Sequence, residues 1–226
     1  MERRFEKELD ELKGNLTRMG RLVDHQIDLA CHALFQADVE LAGQVLRKDE
    51  NVDELDNLID KQCQEILALS QPVAVDLRLL MAALKINNEL ERIGDIAVNI
   101  SERVEPLAKH NAFLRSTRLA EMTQIARIMV NDSIESLVGN NPRLATLVLE
   151  SDDVVDSLDA SNFRQMVREM QRDNSLIEPA SHILILSRHI ERLADHATNI
   201  AEGVVFLVDA RIVKHNAFEE NRSHGN

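Results

Sequence analysis

An acidic helical segment occurs twice in this chain, one hundred residues apart, and this repeat constrains the fold more than any other feature. The first copy reads Glu-Arg-Ile-Gly-Asp-Ile-Ala-Val-Asn from residue 91, and the second reads Glu-Arg-Leu-Ala-Asp-His-Ala-Thr-Asn from residue 191. At about 100° per residue, the acidic positions of each copy share one arc of a helix and the apolar positions lie opposite. We expect each acidic arc to face outward from a core. The two arcs consist of Glu91, Asp95, Asn99 and Glu102, and of Glu191, Asp195, Asn199 and Glu202.

Apolar residues recur at three- and four-residue spacing through six segments, which predicts six long amphipathic helices. The predicted helices span about 5–35, 39–69, 75–104, 118–138, 143–171 and 179–214. The low content of glycine and proline and the absence of Trp and Tyr are typical of a helical protein rather than a sheet protein. We therefore predict an all-α fold of two antiparallel three-helix bundles related by internal duplication.

The predicted domains follow from the repeat. The first bundle is expected over 1–110 and the second over 111–215, with a connector near 109–116 and a disordered tail over 216–226. Asp38 is expected to cap the second helix, and Pro72 to mark the turn before the third.

The second helix of each set is also repeated, at an offset of 103 residues, and brings further acids. Because Asp53 and Glu91 are both 19 residues from Pro72, an antiparallel pair of helices sets them at the same height. The same count places Asp49 beside Asp95, and the second copy repeats both pairs. The candidate metal ligands are therefore Asp49, Asp53, Glu91 and Asp95 in the first half, and Asp152, Asp156, Glu191 and Asp195 in the second.

A single acidic run on a helix is most often a solvated face, but four carboxylates at one level repel one another unless a cation intervenes. We expect divalent or trivalent metal ions, with Mg, Mn, Ca, Fe and Zn as candidates. A ligand set made only of oxygen favours the hard cations over a structural zinc site. His189 and His196 lie round the helix from the acids and are interpreted as surface or supporting residues. Gly94 and Ala194 are expected to permit close helix packing, and Arg92 and Arg192 to pair with nearby acids.

The overall charge and the termini limit the class of partner and the compartment. A net charge of −13 disfavours a nucleic-acid backbone and favours cations or basic protein surfaces. Cys31 and Cys63 are expected to be free, buried thiols in a reducing compartment. The charged N-terminus does not resemble a secretory signal, and no apolar run is long enough to span a bilayer. We expect a cytoplasmic protein that meets a membrane only through its partners.

The sequence resembles the PhoU family of phosphate-specific transport accessory proteins. The resemblance rests on Gln71-Pro72-x-Ala74-x-Asp76-Leu77-Arg78 and on the Glu-x-x-x-Asp motif at residues 91 and 191, and it covers about residues 5–208. It implies paired three-helix bundles that bind metal ions at the acidic motifs. It also implies a negative regulator of phosphate uptake and of the phosphate-starvation response, without catalytic activity. The implied partners are the ATPase subunit of a phosphate ABC transporter, a phosphate sensor histidine kinase and a second copy of the chain.

Two alternatives remain open from the residues themselves. One is a carboxylate-ligated metalloenzyme, either an oxidase or a phosphohydrolase. Against it, the Glu-x-x-His pairs of ferritin-like di-iron sites do not occur in the sequence, and neither does a Gly-x-Ser-x-Gly or a phosphate-binding glycine loop. The other alternative is a helical scaffold that binds no metal.

Overall fold

A computed structural model of the protein describes residues 2–70, 72–73 and 75–209. Within these residues the chain forms helices and turns and no β-strand. The helices are α1 (Glu2–Gln36), α2 (Val39–Lys48), α3 (Glu50–Ser70), α4 (Val75–Ser101), α5 (Val104–Leu107), α6 (Asn111–Arg115), α7 (Leu119–Val138), α8 (Pro142–Arg172) and α9 (Ile177–Asp209). Short 3₁₀ turns occupy Ala108–His110 and Asn174–Leu176.

The long helices form two three-helix bundles, as predicted. In the first bundle α1 packs on α4 and on the α2–α3 segment, and α3 packs on α4. In the second bundle α7, α8 and α9 pack on one another. Contacts of α4 with α9 and of α1 with α7 join the two bundles along their sides. Since the buried apolar residues form one continuous cluster, the bundles share a core.

The duplication extends to the turns that separate the helices. Ala37 and Asn140 both adopt a left-handed backbone, with φ of 55° and 46°, at the ends of α1 and α7. The next residues, Asp38 and Asn141, each accept a hydrogen bond from a backbone N–H three residues on and so cap α2 and α8. The predicted cap at Asp38 is therefore confirmed, and the second bundle repeats it.

Two predicted boundaries differ from the structure. The predicted single helix over 39–69 is interrupted at Asp49, where the N–H of Val52 donates to the Asp49 carbonyl in a tighter i to i+3 bond. The predicted connector at 109–116 is a series of short helical turns. The predicted end of the second bundle at 215 and the tail over 216–226 lie outside the described residues. The domain limits stay a prediction.

Two glycines mark places where helices approach closely. A Cβ on Gly20 of α1 would lie 2.8 Å from Ile134 Cγ2 of α7, where the bundles meet. A Cβ on Gly94 would lie 3.1 Å from Val52 Cγ1, so the glycine of the acidic motif permits close packing of α4 on α3, as predicted. Among the described residues, no helix is both long enough and apolar enough to cross a membrane.

Candidate functional site

The predicted acids of the first half lie along the groove between α3 and α4, together with two further aspartates. This first acidic face consists of Asp49, Asp53, Asp56, Asp60, Glu91 and Asp95. Asp49 lies at the junction of α2 and α3, and Pro72 lies in the segment between α3 and α4.

The carboxylates of the first acidic face act on one another electrostatically. Burial raises the pKa of Glu91, and the neighbouring charges of Asp95, Asp56 and Asp53 raise it further. Burial likewise raises the pKa of Asp49, with Asp53 and Asp95 adding to the effect. Acids from α3 and α4 therefore lie close enough to perturb each other, which agrees with the predicted register.

One arginine partly neutralises this face. Arg92 Nε lies 3.4 Å from Glu91 Oε2, and Arg92 Nη1 lies 3.4 Å from Asp95 Oδ2. The predicted pairing of Arg92 with an acid is confirmed. Because the guanidinium is about half exposed, its contribution is screened and small. A neutral side chain of α1 also contacts this face, since Gln26 Nε2 donates a hydrogen bond of 3.3 Å to Asp49 Oδ1. This hydrogen bond lowers the pKa of Asp49 and so opposes the effect of burial.

A buried asparagine extends the first acidic face in a way that the sequence analysis missed. Asn87 is completely buried, and its Nδ2 donates to Asp56 Oδ1 at 2.7 Å and to Asp60 Oδ1 at 3.2 Å. It also donates to the Asp56 carbonyl at 3.1 Å, while its Oδ1 accepts no hydrogen bond. The signal that could have found it was the recurrence of acids at positions 53, 56 and 60 of α3, one helical turn apart.

The second acidic face lies in the equivalent groove between α8 and α9 and consists of Asp152, Asp156, Asp159, Glu191 and Asp195. Burial raises the pKa of Glu191, and Asp195, Asp159 and Asp156 raise it further. Asp152 is buried rather than outward-facing, with 4% of its surface exposed. Asp159 was not among the predicted ligands, although it occupies the position of the sequence repeat that is equivalent to Asp56.

The predicted outward arc of the second copy is only half right, because the arc divides between two neighbouring helices. Glu191 lies on the α8 side of α9, close to the acids of that helix. Asn199 and Glu202 instead contact α4 of the other bundle. Asn199 Nδ2 donates to Glu89 Oε2 at 3.2 Å, and Lys85 Nζ lies 3.6 Å from Glu202 Oε2. Periodicity within one helix could not reveal that a second bundle covers this part of the arc.

The two histidines, which we predicted to be surface or supporting residues, are partly buried rather than on the surface. His196 Nδ1 lies 2.7 Å from Glu89 Oε2, and only about 16% of its side chain is exposed. His189 is half-buried, and burial lowers its pKa, with the nearby positive charges of Arg192 and Arg103 adding to this effect. Both side chains thus belong to the contact between the bundles.

The acidic faces fit a hard cation in charge and in donor chemistry. Carboxylate oxygens are the preferred ligands of Mg²⁺, Mn²⁺ and Ca²⁺, and a cation would relieve the repulsion that raises the pKa of Glu91 and Glu191. Within the described part of the chain, no group of three or more His, Cys, Asp or Glu side chains could hold a metal ion in the arrangement observed. The fit therefore rests on charge and oxygen chemistry, and metal binding stays a prediction.

Comparison with known proteins relates both bundles to one family. The family model described as the PhoU domain matches residues 16–104 and 119–204. The phosphate-specific transport system accessory protein PhoU homolog of Aquifex aeolicus is 40% identical, over 95% of this chain and 97% of its own length. The homolog of the same name from Pseudomonas putida is 35% identical, over 93% of this chain and 83% of its own.

Solved structures agree with these sequence relationships. The crystal structure of PhoU from Pseudomonas aeruginosa matches with a TM-score of 0.86 and 33% identity, covering 92% of this chain and 100% of that one. The phosphate transport system regulatory protein PhoU from Streptococcus pneumoniae matches with a TM-score of 0.81 at 24% identity, which is informative for the fold alone. The acidic faces thus lie at equivalent places in two matched domains.

Proposed function

The chain belongs to the PhoU family, and from that membership we propose that it is a regulatory accessory protein of phosphate transport. In this proposal it represses phosphate uptake and the phosphate-starvation response. It does so by coupling the ATPase subunit of a phosphate ABC transporter to a phosphate sensor histidine kinase in the cytoplasm. The protein acts by binding rather than by catalysis, and it functions as a homodimer.

The observation that carries the proposal is the pair of acidic faces, one in each matched domain. Glu91 and Glu191 lie at equivalent positions, and both have a raised pKa from burial and neighbouring acids. Carboxylates held in this way offer an extended negative surface along the two grooves. Such a surface favours a basic partner surface, or a partner bridged through a cation.

We further propose that each acidic face binds a divalent or trivalent metal ion. The residues that would hold it are Asp49, Asp53, Glu91 and Asp95 in the first bundle, and their counterparts Asp152, Asp156, Glu191 and Asp195 in the second. A bound ion would neutralise the crowded carboxylates and so stabilise the folded protein by mass action. It would also change the charge that a partner meets.

Deletion and rescue in the source cell test the regulatory role. Loss of the gene should leave phosphate-starvation genes active in phosphate-rich medium, and the wild-type chain should restore repression. Reversal of charge at Glu91 and Asp95 together should weaken the rescue. The matched control is reversal at Glu6 and Asp10, an exposed acidic pair of the same spacing on α1. Normal repression in the deletion strain would reject the proposal.

A binding assay tests the coupling itself. Purified chain should capture the transporter ATPase subunit and the cytoplasmic part of the sensor kinase, and chelation should weaken capture if a metal takes part. Capture that is equal for the wild type and for the Glu91 and Asp95 charge-reversal variant would exclude this face from the contact.

A further inference from the structure

One side of the contact between α4 and α9 is built around an acid. Glu89 Oε2 of α4 lies 2.7 Å from His196 Nδ1, and it accepts a hydrogen bond of 3.2 Å from Asn199 Nδ2. Towards the start of α4, Lys85 Nζ lies 3.6 Å from Glu202 Oε2. The partners follow one another in opposite order along the two helices, so the helices are antiparallel. Each carboxylate on this side therefore faces a hydrogen-bond donor or a positive charge.

The duplication places a second set of residues on the other side of this contact. An offset of 100 residues relates His189 to Glu89, and it relates Arg103, in the turn between α4 and α5, to Gly203. A Cβ on Gly203 would lie 3.2 Å from Ile86 Cγ1, so the first side is closely packed where the second side has an arginine. The second side therefore has an imidazole in place of the acid and a guanidinium in place of the glycine.

Three basic side chains lie near one another on this second side and form a cationic cluster of Arg103, His189 and Arg192. Burial lowers the pKa of His189 most, and the positive charges of Arg192 and then of Arg103 lower it further. Each of these two charges acts on His189 more strongly than the opposing negative charge of Glu102, which is exposed. The charges acting on this imidazole are therefore mainly positive, in a chain whose net charge is −13.

Two nitrogen atoms of the cationic cluster are buried without a partner. Arg103 Nε and His189 Nδ1 are shielded from solvent, and neither forms a hydrogen bond with any described residue. A guanidinium always carries its Nε proton, and an imidazole carries a proton on Nδ1 when it is charged and in one of its two neutral tautomers. Because an unpaired buried donor costs free energy, both positions favour an acceptor that the described residues do not supply.

We propose that the cationic cluster binds a small oxyanion of the phosphate or sulfate type between α4 and α9. An oxyanion supplies a negative charge together with several acceptor oxygens, and the cluster lacks both. A guanidinium can donate two parallel hydrogen bonds to such a group, and the charges on both partners strengthen these bonds. The ligand would join the two bundles on the side where His189 replaces Glu89. The site goes beyond the proposed function, and it depends neither on partner binding nor on metal binding.

Calorimetric titration of inorganic phosphate into the full-length protein tests the site. The protein is treated with chelator and dialysed into a Tris–chloride buffer, so that phosphate cannot bind through a metal at the acidic faces. We expect the wild type to bind a single phosphate per chain. Arg103→Gln should weaken this affinity roughly ten- to a hundredfold, because charge-assisted hydrogen bonds are lost. Arg18→Gln removes an exposed arginine of α1 and is the matched control, so it should leave the affinity unchanged.

Thermal melts followed by circular dichroism give a second readout and verify that each variant is folded. Phosphate should raise the melting temperature of the wild type and of Arg18→Gln, and it should raise that of Arg103→Gln much less. Arg192→Gln changes an exposed member of the cationic cluster, so it keeps the test available if Arg103→Gln does not fold. This variant should also weaken phosphate binding.

Competition by other anions identifies the class of ligand. Displacement of phosphate by sulfate, but not by an equal concentration of added chloride, would support an oxyanion site, and a failure of sulfate to displace phosphate would restrict the site to phosphate. Chloride that competes as strongly as sulfate would overturn the proposal, and so would equal losses in Arg103→Gln and Arg18→Gln, because general screening of charge would then explain the binding. Absence of phosphate binding to the folded wild type would also overturn it, and it would leave the regulatory and metal proposals untouched.

Discussion

Substitution of Asn87 by Asp should destabilise the protein strongly, because the buried amide nitrogen holds two carboxylates. The side chain keeps its size and shape, but a donor at 2.7 Å from Asp56 Oδ1 and 3.2 Å from Asp60 Oδ1 becomes a third acid. A hydrogen bond to a charged acceptor contributes about 1.5–3 kcal/mol, and two such bonds are lost. The new carboxylate is also buried among like charges. We expect the free energy of unfolding at pH 7 to fall by roughly 3–6 kcal/mol.

Urea denaturation followed by circular dichroism measures this change, with chelator present in every sample. The midpoint should fall while the slope stays constant, since the surface exposed on unfolding is the same. The deficit should shrink as the pH is lowered towards about 5, because burial among acids raises the pKa of the introduced carboxyl. Once protonated, that carboxyl can again donate a hydrogen bond to an aspartate.

The neighbouring substitution Asn88→Asp is the matched control. It introduces the same charge at the same face, but Asn88 is exposed and no hydrogen bond of its side chain is seen in the described residues. We expect a cost of only a few tenths of a kcal/mol, the size of an exposed like-charge contact. Equal losses in the two variants would refute the reasoning, because burial and the donated hydrogen bonds would then be irrelevant.

Three further outcomes follow from the packing, the backbone and the carboxyl groups. Gly14→Ala should raise the free energy of unfolding by about 0.5–1 kcal/mol, since the new Cβ meets nothing within 4 Å. Gly20→Ala should be less stable than Gly14→Ala by about 1–3 kcal/mol, because its Cβ would clash with the side chain of Ile134. Ala37→Gly should stabilise by up to about 1 kcal/mol in urea denaturation, because Ala37 has a left-handed backbone. The pKa of Glu91 in the folded protein lies above its ordinary value of 4.5, so the folded state holds this proton more tightly than the unfolded state does. The metal-free protein should therefore lose stability as the pH rises from 4.5 through the folded pKa. Urea denaturation midpoints measured over this pH range check the loss.

The helices and their register could be predicted because both depend on local rules. Burial follows a 3.6-residue period in long helices, and a cap such as Asp38 acts within one turn of its own position. The height of Glu91 relative to Asp53 follows from counting residues away from Pro72, since both helices rise by the same amount per residue. The effect of Asp53 on the pKa of Glu91 agrees with that count.

The interruption of the helix at Asp49 and the partners of buried polar groups could not be predicted in the same way. Val39 to Leu69 has a continuous helical pattern, so a single tighter hydrogen bond at the Asp49 carbonyl leaves no mark in the sequence. Asn87 follows Ile86 and precedes Asn88 and Glu89, so its neighbours in the sequence do not distinguish a buried support for acids from an exposed polar residue. Only the packing of α4 on α3 brings it to Asp56.

The contact between the bundles explains why the two copies have diverged. In an exact duplication, the antiparallel packing of α4 on α9 would repeat each contact on both sides of a pseudo-twofold axis. The pair Glu89 and His196 has no such repeat, because the equivalent positions hold His189 and Ile96. Lys85, which pairs with Glu202, likewise corresponds to Ile185. The two sides of the contact therefore differ in their charged groups, with Glu89 beside His196 and Lys85 beside Glu202 on one side, and His189 near Arg103 on the other, while the helices keep the same register.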